Sequence, residues 1–398
     1  MVRRICALVL LVILLVFGHQ AMGAALTAED RVAQLFTADT IDADWFAPAF
    51  LAQVPVSQME VIVTQYREIL GEYVRSEGTP PTLTLIFSQG TVPAQIVLDE
   101  QSRIIGFWLG VPQTKVNGLE EALAGFSELS GQVSVLVVSD TSVLGAITPE
   151  TPLAVGSAFK LAVLAAVKDK INSGELAWDT VVRLSEEHIS LPTGILQSWP
   201  VDTALTVETA AALMISISDN TATDLLIDTV GRETIERYTP LNRPLLTTRE
   251  AFALKNDDNE ALRSAYVYGD EETRRQMLPA VRAADLPDVS AFARGPLALE
   301  IEWFFTVGEL INLIAYVQDL PLMSINPGVA SVDDWQRIAF KGGSEPGVMN
   351  LTTWLVGKSG RSYAVSATWN DTKPLDEARF MTLYSGLIRA LKQMDERQ

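Results

Sequence analysis

The chain is nearly without cysteine and histidine: 398 residues carry one Cys and two His. Cys6 sits inside an apolar N-terminal run and His19 just after it, so a chain that loses this segment keeps no cysteine and only His188. That excludes thiol catalysis, disulfides, thiolate metal sites and a histidine-rich metal centre, and no metal or cofactor is expected. Long apolar runs are also missing: Ile5 to Phe17 falls short of the roughly 20 residues a spanning helix needs. Positive charge is scarce, with 30 Lys and Arg against 49 Asp and Glu, a formal net charge of −19 that becomes −21 once Arg3 and Arg4 leave. Such a surface repels nucleic acid and anionic lipid, which leaves small molecules as the expected partners.

What is present begins with Met-Val-Arg-Arg, the apolar run, and then small residues near Gly23 to Ala25, the three zones of a secretory signal peptide. Residues 1–24 are therefore read as a cleaved leader, with no membrane span left afterwards and export to the periplasm or medium. Cys6 has no small-residue box before it and is not read as a lipid-attachment site. Residues 25–114 are expected to form a small α+β domain, with helices over 27–71 and then β-rich runs at Thr82–Phe87, Ala94–Leu98 and Arg103–Leu109 in an antiparallel meander. By outline this resembles the nuclear-transport-factor and ketosteroid-isomerase folds. Residues 115–130, polar and punctuated by Gly, are read as a linker. Residues 131–398 are expected to place strands at both ends around a helical middle, with helices over 157–172 and 206–230 and strands at 336–341, 349–356 and 362–369 before a last helix. Residues 255–290, rich in Asp, Glu and Arg, are read as a solvated helical insertion.

Three short polar elements interrupt this second domain. Gly156-Ser157-Ala158-Phe159-Lys160 opens a helix that is apolar all round, so Ser157 stands where backbone N–H groups are free and negative charge is favoured. Lys160, one turn on, loses hydration there, which depresses its pKa and makes it a base for the serine proton. Ser218-Asp219-Asn220 lies between two apolar helices, and Phe340-Lys341-Gly342-Gly343-Ser344 ends a strand in glycines that admit a ligand closely. Each element alone has a plain structural explanation, since Ser, Asp and Asn are common helix caps. Lys358-Ser359-Gly360 competes with the third element but falls in a hairpin turn, whereas Lys341 leaves two strands before the last helix.

Taken in order, Ser-x-x-Lys, Ser-Asp-Asn and Lys-x-Gly resemble the serine β-lactamases, especially class A, and the penicillin-binding proteins. The resemblance covers roughly residues 130–395 and implies an antiparallel sheet with a helical subdomain. It implies Ser157 as acylated nucleophile, Lys160 as proton acceptor, Ser218 as proton shuttle, Asn220 as a contact to the substrate amide and Lys341 as electrostatic anchor. It further places Gly343 and Ser344 in the substrate site, with the N–H groups of Ser157 and Ser344 forming the oxyanion hole. Two departures stand out. Gly342 occupies a position where the family usually has a hydroxyl, and Tyr238 to Thr248 holds no carboxylate where class A enzymes place their deacylating glutamate. Glu250 follows in what reads as the opening of a helix. Together with the extra N-terminal domain, Lys-Gly-Gly-Ser-Glu-Pro-Gly resembles the β-lactamase-like proteins of clavulanic acid biosynthesis and their relatives. The expectation is an exported serine hydrolase acting on a small ester, amide or β-lactam, an esterase or weak β-lactam hydrolase. The alternatives are a peptidase of D-Ala-D-Ala ends and a retired enzyme that only binds. His188 is read as a rim or surface residue.

Overall fold

The computed structural model describes residues 26–140 and 142–397, so the expected leader, with Cys6 and His19, lies outside the described residues. The chain divides into two compact units, one running to Asn117 and one comprising Gly118–Glu377 with Leu387–Gln398.

In the first unit, α1 (Ala28–Thr37) starts at a capping box: the Thr27 hydroxyl accepts from the Asp30 N–H and the Asp30 carboxylate accepts from the Thr27 N–H, each at 3.1 Å. In α2 (Val56–Leu70), Met59, Val63, Tyr66 and Leu70 bury one helical face. The sheet is an antiparallel meander of β1 (Tyr73–Thr79), β2 (Thr82–Phe87), β3 (Gly90–Leu98) and β4 (Ile104–Leu109). Val32, Leu35 and Phe36 of α1 join Leu83, Leu85, Phe87, Val92 and Ile96 in its core. Strand β1 escaped the sequence reading because it is polar and mostly exposed, with no alternation to detect.

In the second unit the stretch read as a linker holds α3 (Leu119–Ala124) and a further helical turn, with Ala122 and Phe126 buried. Its Leu119, Ala122, Leu123 and Phe126 recur at helical spacing, a signal that the surrounding Gly and Glu obscured. The sheet contains β5 (Gln132–Ser139), β6 (Ser142–Ile147), β7 (Arg337–Glu345), β8 (Val348–Val356) and β9 (Ser362–Asn370), all antiparallel in the order β7-β8-β9-β5-β6. Helices α4 (Lys160–Asn172), α5 (Val207–Ser216), α6 (Asn220–Val230), α7 (Thr248–Lys255), α8 (Glu260–Tyr268), α9 (Glu271–Ala283) and α10 (Val307–Val317) lie between the two halves of the sheet in sequence, and α11 (Glu377–Glu396) follows β9. This is the expected α+β plan, a helical subdomain beside an antiparallel sheet.

Two features position the site. Every residue of α4 from Lys160 to Val167 is buried, so this helix is a fixed post in the core. Strand β7 is an edge strand, with its second edge free of any strand partner. Among the described residues no helix is long and apolar enough to cross a membrane.

Candidate active site

The sequence reading began a helix at Ser157. The structure inserts one 3-10 turn, Gly156–Phe159, before α4. This turn is pinned from below: the Val155 N–H donates to Trp303 O at 3.0 Å, and the Phe159 ring stacks on Trp303 at 3.9 Å. Ser157 is only half-buried, while its neighbours on either side are buried. Strand β7 comes against it through glycine. A Cβ at Gly343 would lie 2.2 Å from Val155 O and 2.4 Å from Ser157 N, contacts no side chain can make. Gly156 has φ +49°, and a Cβ there would stand 3.3 Å from Ser344 N. The main-chain nitrogens of Ser157 and Ser344 thus flank one small volume, the arrangement an oxyanion hole needs.

The Ser-Asp-Asn element forms the facing wall. Ser218 adopts φ +57°, a conformation that costs a non-glycine residue of order 1–3 kcal/mol and persists only under external constraint. The constraint is Asp219. One carboxylate oxygen caps α6 through Ala222 N at 2.8 Å, and the other accepts from Ile195 N at 2.7 Å and Leu196 N at 2.9 Å. The Thr193 hydroxyl adds a 2.6 Å bond to Ser218 O. Asn220 is turned toward α4, its Oδ1 accepting from Lys160 at 2.6 Å and its Nδ2 donating to Leu191 O at 3.0 Å.

Lys160 and Lys341 converge on the Ser218 hydroxyl, each with Nζ 3.1 Å from its Oγ. Lys160 Nζ also reaches Ser218 O at 2.7 Å. Burial, and then the neighbouring Lys341, hold the Lys160 amine well below the usual lysine range. Burial alone pushes Lys341 down to about 7. A neutral Lys160 has two N–H bonds, matched by Ser218 O and Asn220 Oδ1, and a lone pair left for a hydroxyl proton. The structure therefore joins Lys160, Ser218, Asn220 and Lys341 in one hydrogen-bonded group, and packs Gly343 and Ser344 against the Gly156-Ser157 turn that leads into Lys160. Lys358-Ser359-Gly360 stays apart in the β8–β9 turn, where Ser359 bonds Asp395.

The carboxylates nearest the expected deacylation loop are already engaged. Glu250 is fully buried at the N-terminus of α7, in a capping box with Thr247 and in a bidentate pair with Arg232 at 2.8 and 2.9 Å. Asp224 accepts from Thr248 N at 2.7 Å and Arg249 N at 2.8 Å, and burial pushes its carboxyl up to about 7 despite those bonds. His188 accepts from Ser185 N at 3.1 Å and lies 3.5 Å from Asp228, a local clasp outside the cleft group.

Motif reading passed over a second buried cluster, in which Lys255 Nζ contacts both Glu302 and Glu345. Glu345 was within reach of sequence logic, because strand periodicity puts it on the same face as Lys341 and Gly343. Lys255 and Glu302 join it from distant segments that no spacing rule connects.

Residues 115–260 match the family described as the beta-lactamase enzyme family. No curated protein matches the chain. Among solved structures, a mutant of the class A β-lactamase of the last common ancestor of Gram-negative bacteria aligns at 13% identity and TM-score 0.50, covering 70% of this chain and 98% of that one. A β-lactamase from Sphaerobacter thermophilus DSM 20745 aligns at 21% identity and TM-score 0.46 over 71% of this chain and 97% of its own. The protein PBP-A aligns at 13% identity and TM-score 0.46 over 72% and 100%. The family match covers the stretch that carries Ser157, Lys160, Ser218 and Asn220, and with these folds it supports a likeness to the serine β-lactamase and penicillin-binding-protein superfamily.

Proposed function

We propose that this protein is an exported serine hydrolase that acylates Ser157 and releases the acyl group to water, with activated esters as its better substrates and β-lactams as slow ones. The observation that carries this reading is the shared Ser218 hydroxyl, 3.1 Å from both Lys160 and Lys341, beside the turn of Ser157. Lys160, held neutral, takes the Ser157 proton as Oγ attacks the carbonyl carbon. The oxyanion forms against the N–H groups of Ser157 and Ser344, and Ser218 relays the proton to the departing alkoxide or amine. Lys341 supplies positive charge to a substrate carboxylate, and Asn220 meets its amide. Because Glu250 is committed to Arg232 and Tyr238 to Thr248 holds no acid, nothing from that loop activates water, which argues against efficient β-lactam turnover.

Intact-mass spectrometry after incubation with a penicillin, a cephalosporin and p-nitrophenyl acetate tests the reading, with Ser157→Ala in parallel. A Ser157-dependent long-lived lactam adduct together with ester turnover is expected. No adduct and no turnover with any of the three would return the protein to the binding-only alternative. The same missing loop acid also suits a peptidase of D-Ala-D-Ala ends, and release of D-alanine from a pentapeptide would favour that reading instead.

A further inference from the structure

The acyl-enzyme reading leaves one step without a residue, the activation of the deacylating water. We infer that Glu345, at the end of β7, is the general base for that step, held in place by Lys255 and Glu302. The inference rests on the acyl-enzyme reading and deepens it.

The geometry begins with the strand. Lys341, Gly343 and Glu345 alternate onto one face of β7 at intervals of about 7 Å. Lys341 meets Ser218, and Gly343 meets Ser157. Glu345 is thus the next side chain on that face past the Ser157 turn, on the side away from Lys341. A carboxylate there is separated from the two amines of the acylation step, so acid and base work need not compete for one group.

Its surroundings differ from those of a simple ion pair. Lys255 and Glu302 have side chains 1% and 0% exposed, whereas that of Glu345 is 15% exposed, so of the three only Glu345 meets solvent. Glu302 Oε2 has no hydrogen-bond partner, and burial followed by the charge of Glu345 pushes the Glu302 carboxyl up to about 8. Glu302 therefore holds its proton to higher pH than an ordinary carboxyl, and Glu345 is the member of the cluster that water can reach.

In the step itself, a water between Glu345 and the ester carbon gives one proton to the carboxylate as its oxygen bonds to that carbon. The tetrahedral intermediate then collapses by breaking the bond from carbon to Ser157 Oγ. The proton held on Glu345 returns to Oγ, leaving a carboxylic acid product and free serine.

Stopped-flow release of p-nitrophenolate from p-nitrophenyl acetate by the full chain, combined with intact mass at steady state, tests this. In Glu345→Gln, the first turnover should keep its rate within about threefold, the steady rate should fall at least 100-fold, and acyl-Ser157 should accumulate. Unchanged steady turnover, or equal loss of both phases, would overturn the inference. Should Glu345→Gln fail to fold, Glu345→Asp keeps the charge but withdraws it by one methylene. A slowed steady phase in that variant supports the role, and an unchanged one overturns it. If Ser157→Ala still releases p-nitrophenolate at the parent rate, the acyl-enzyme reading has failed, which is a separate result from the loss of Glu345's role.

Discussion

Three lysines in this protein are equally hidden from water and have opposite chemistry. Lys160, Lys341 and Lys255 are 0%, 3% and 1% exposed. Around Lys160 and Lys341 the direct partners are a hydroxyl, carbonyls and an amide, and burial pushes each amine down, with the charge of Lys341 adding to the effect on Lys160. Lys255 touches two carboxylates, whose attraction outweighs the same burial and raises its pKa. Burial alone therefore does not make a base. The absence of a directly bonded counter-charge does, and that difference sets the two clusters apart.

The largest effect that sharpens this contrast is expected at Lys160. Lys160→Met removes the proton acceptor while keeping the buried stem, so acylation by p-nitrophenyl acetate should fall roughly 10³-fold with melting temperature little changed. Lys255→Met should do the reverse first. It strands two buried carboxyls and should cost about 3–5 kcal/mol of stability at pH 8, measured by urea unfolding. The loss should shrink as pH falls below about 8, because Glu302 then takes up its proton. Comparable destabilisation by the two variants would break the comparison.

pH offers the next test, and its sign differs between the two clusters. Lys341 has a folded pKa of about 7, below its unfolded value, so between the two the unfolded chain binds the extra proton. Its contribution to stability is present at high pH and is lost as pH falls from the ordinary lysine range toward about 7. Lys255 is raised, so its contribution is complete below the unfolded value and is lost only at more alkaline pH. Acylation, which in the proposed reaction needs neutral Lys160, should rise with pH and level off well below the ordinary lysine range. A bell centred in the acid range would contradict a neutral Lys160.

Which parts of this were legible in the sequence follows from the same physics. The placement of the Ser157 turn, the Ser-Asp-Asn loop and the β7 glycines at element ends was readable because each joins an unusual polar residue to a strongly periodic apolar element. The β1 strand and α3 were not, since one is polar on both faces and the other is masked by Gly and Glu. The constraint on Ser218 was half visible: Asp219 could be read as a cap, but its second oxygen serves Ile195 and Leu196, more than twenty residues back. The Lys255 cluster was invisible because its pairing is fixed by where α7, the Trp303 segment and β7 end in space. Glu250, by contrast, was legible as a helix opener, and its capping box with Thr247 is in the structure.

That last placement carries a smaller prediction. Glu250→Gln keeps an acceptor for Thr247 N but removes the charge facing Arg232, and should cost about 1–3 kcal/mol of stability. Steady ester turnover should stay within about twofold of the parent. A selective loss of steady turnover with the first turnover intact would transfer the deacylation role from β7 back to the loop.

The smallest effect is expected at Gly342, where the family usually presents a hydroxyl beside the anchoring lysine. An added Cβ would meet Phe340 Cζ at 3.0 Å, Leu351 Cδ2 at 3.1 Å and Asn350 O at 3.2 Å. The first two are side-chain ends that can give by a few tenths of an ångström, while the third is backbone, so Gly342→Ser should fold with about 1 kcal/mol lost. Its hydroxyl would add one hydrogen bond to a substrate carboxylate already facing Lys341, about 1.5 kcal/mol or roughly tenfold in penicillin acylation. Ester acylation, which presents no carboxylate, should not change. A gain for the penicillin alone would show that the glycine, and not a defect at Ser157, sets the preference for esters. Equal rates for both substrates in parent and variant would place carboxylate recognition elsewhere in the cleft.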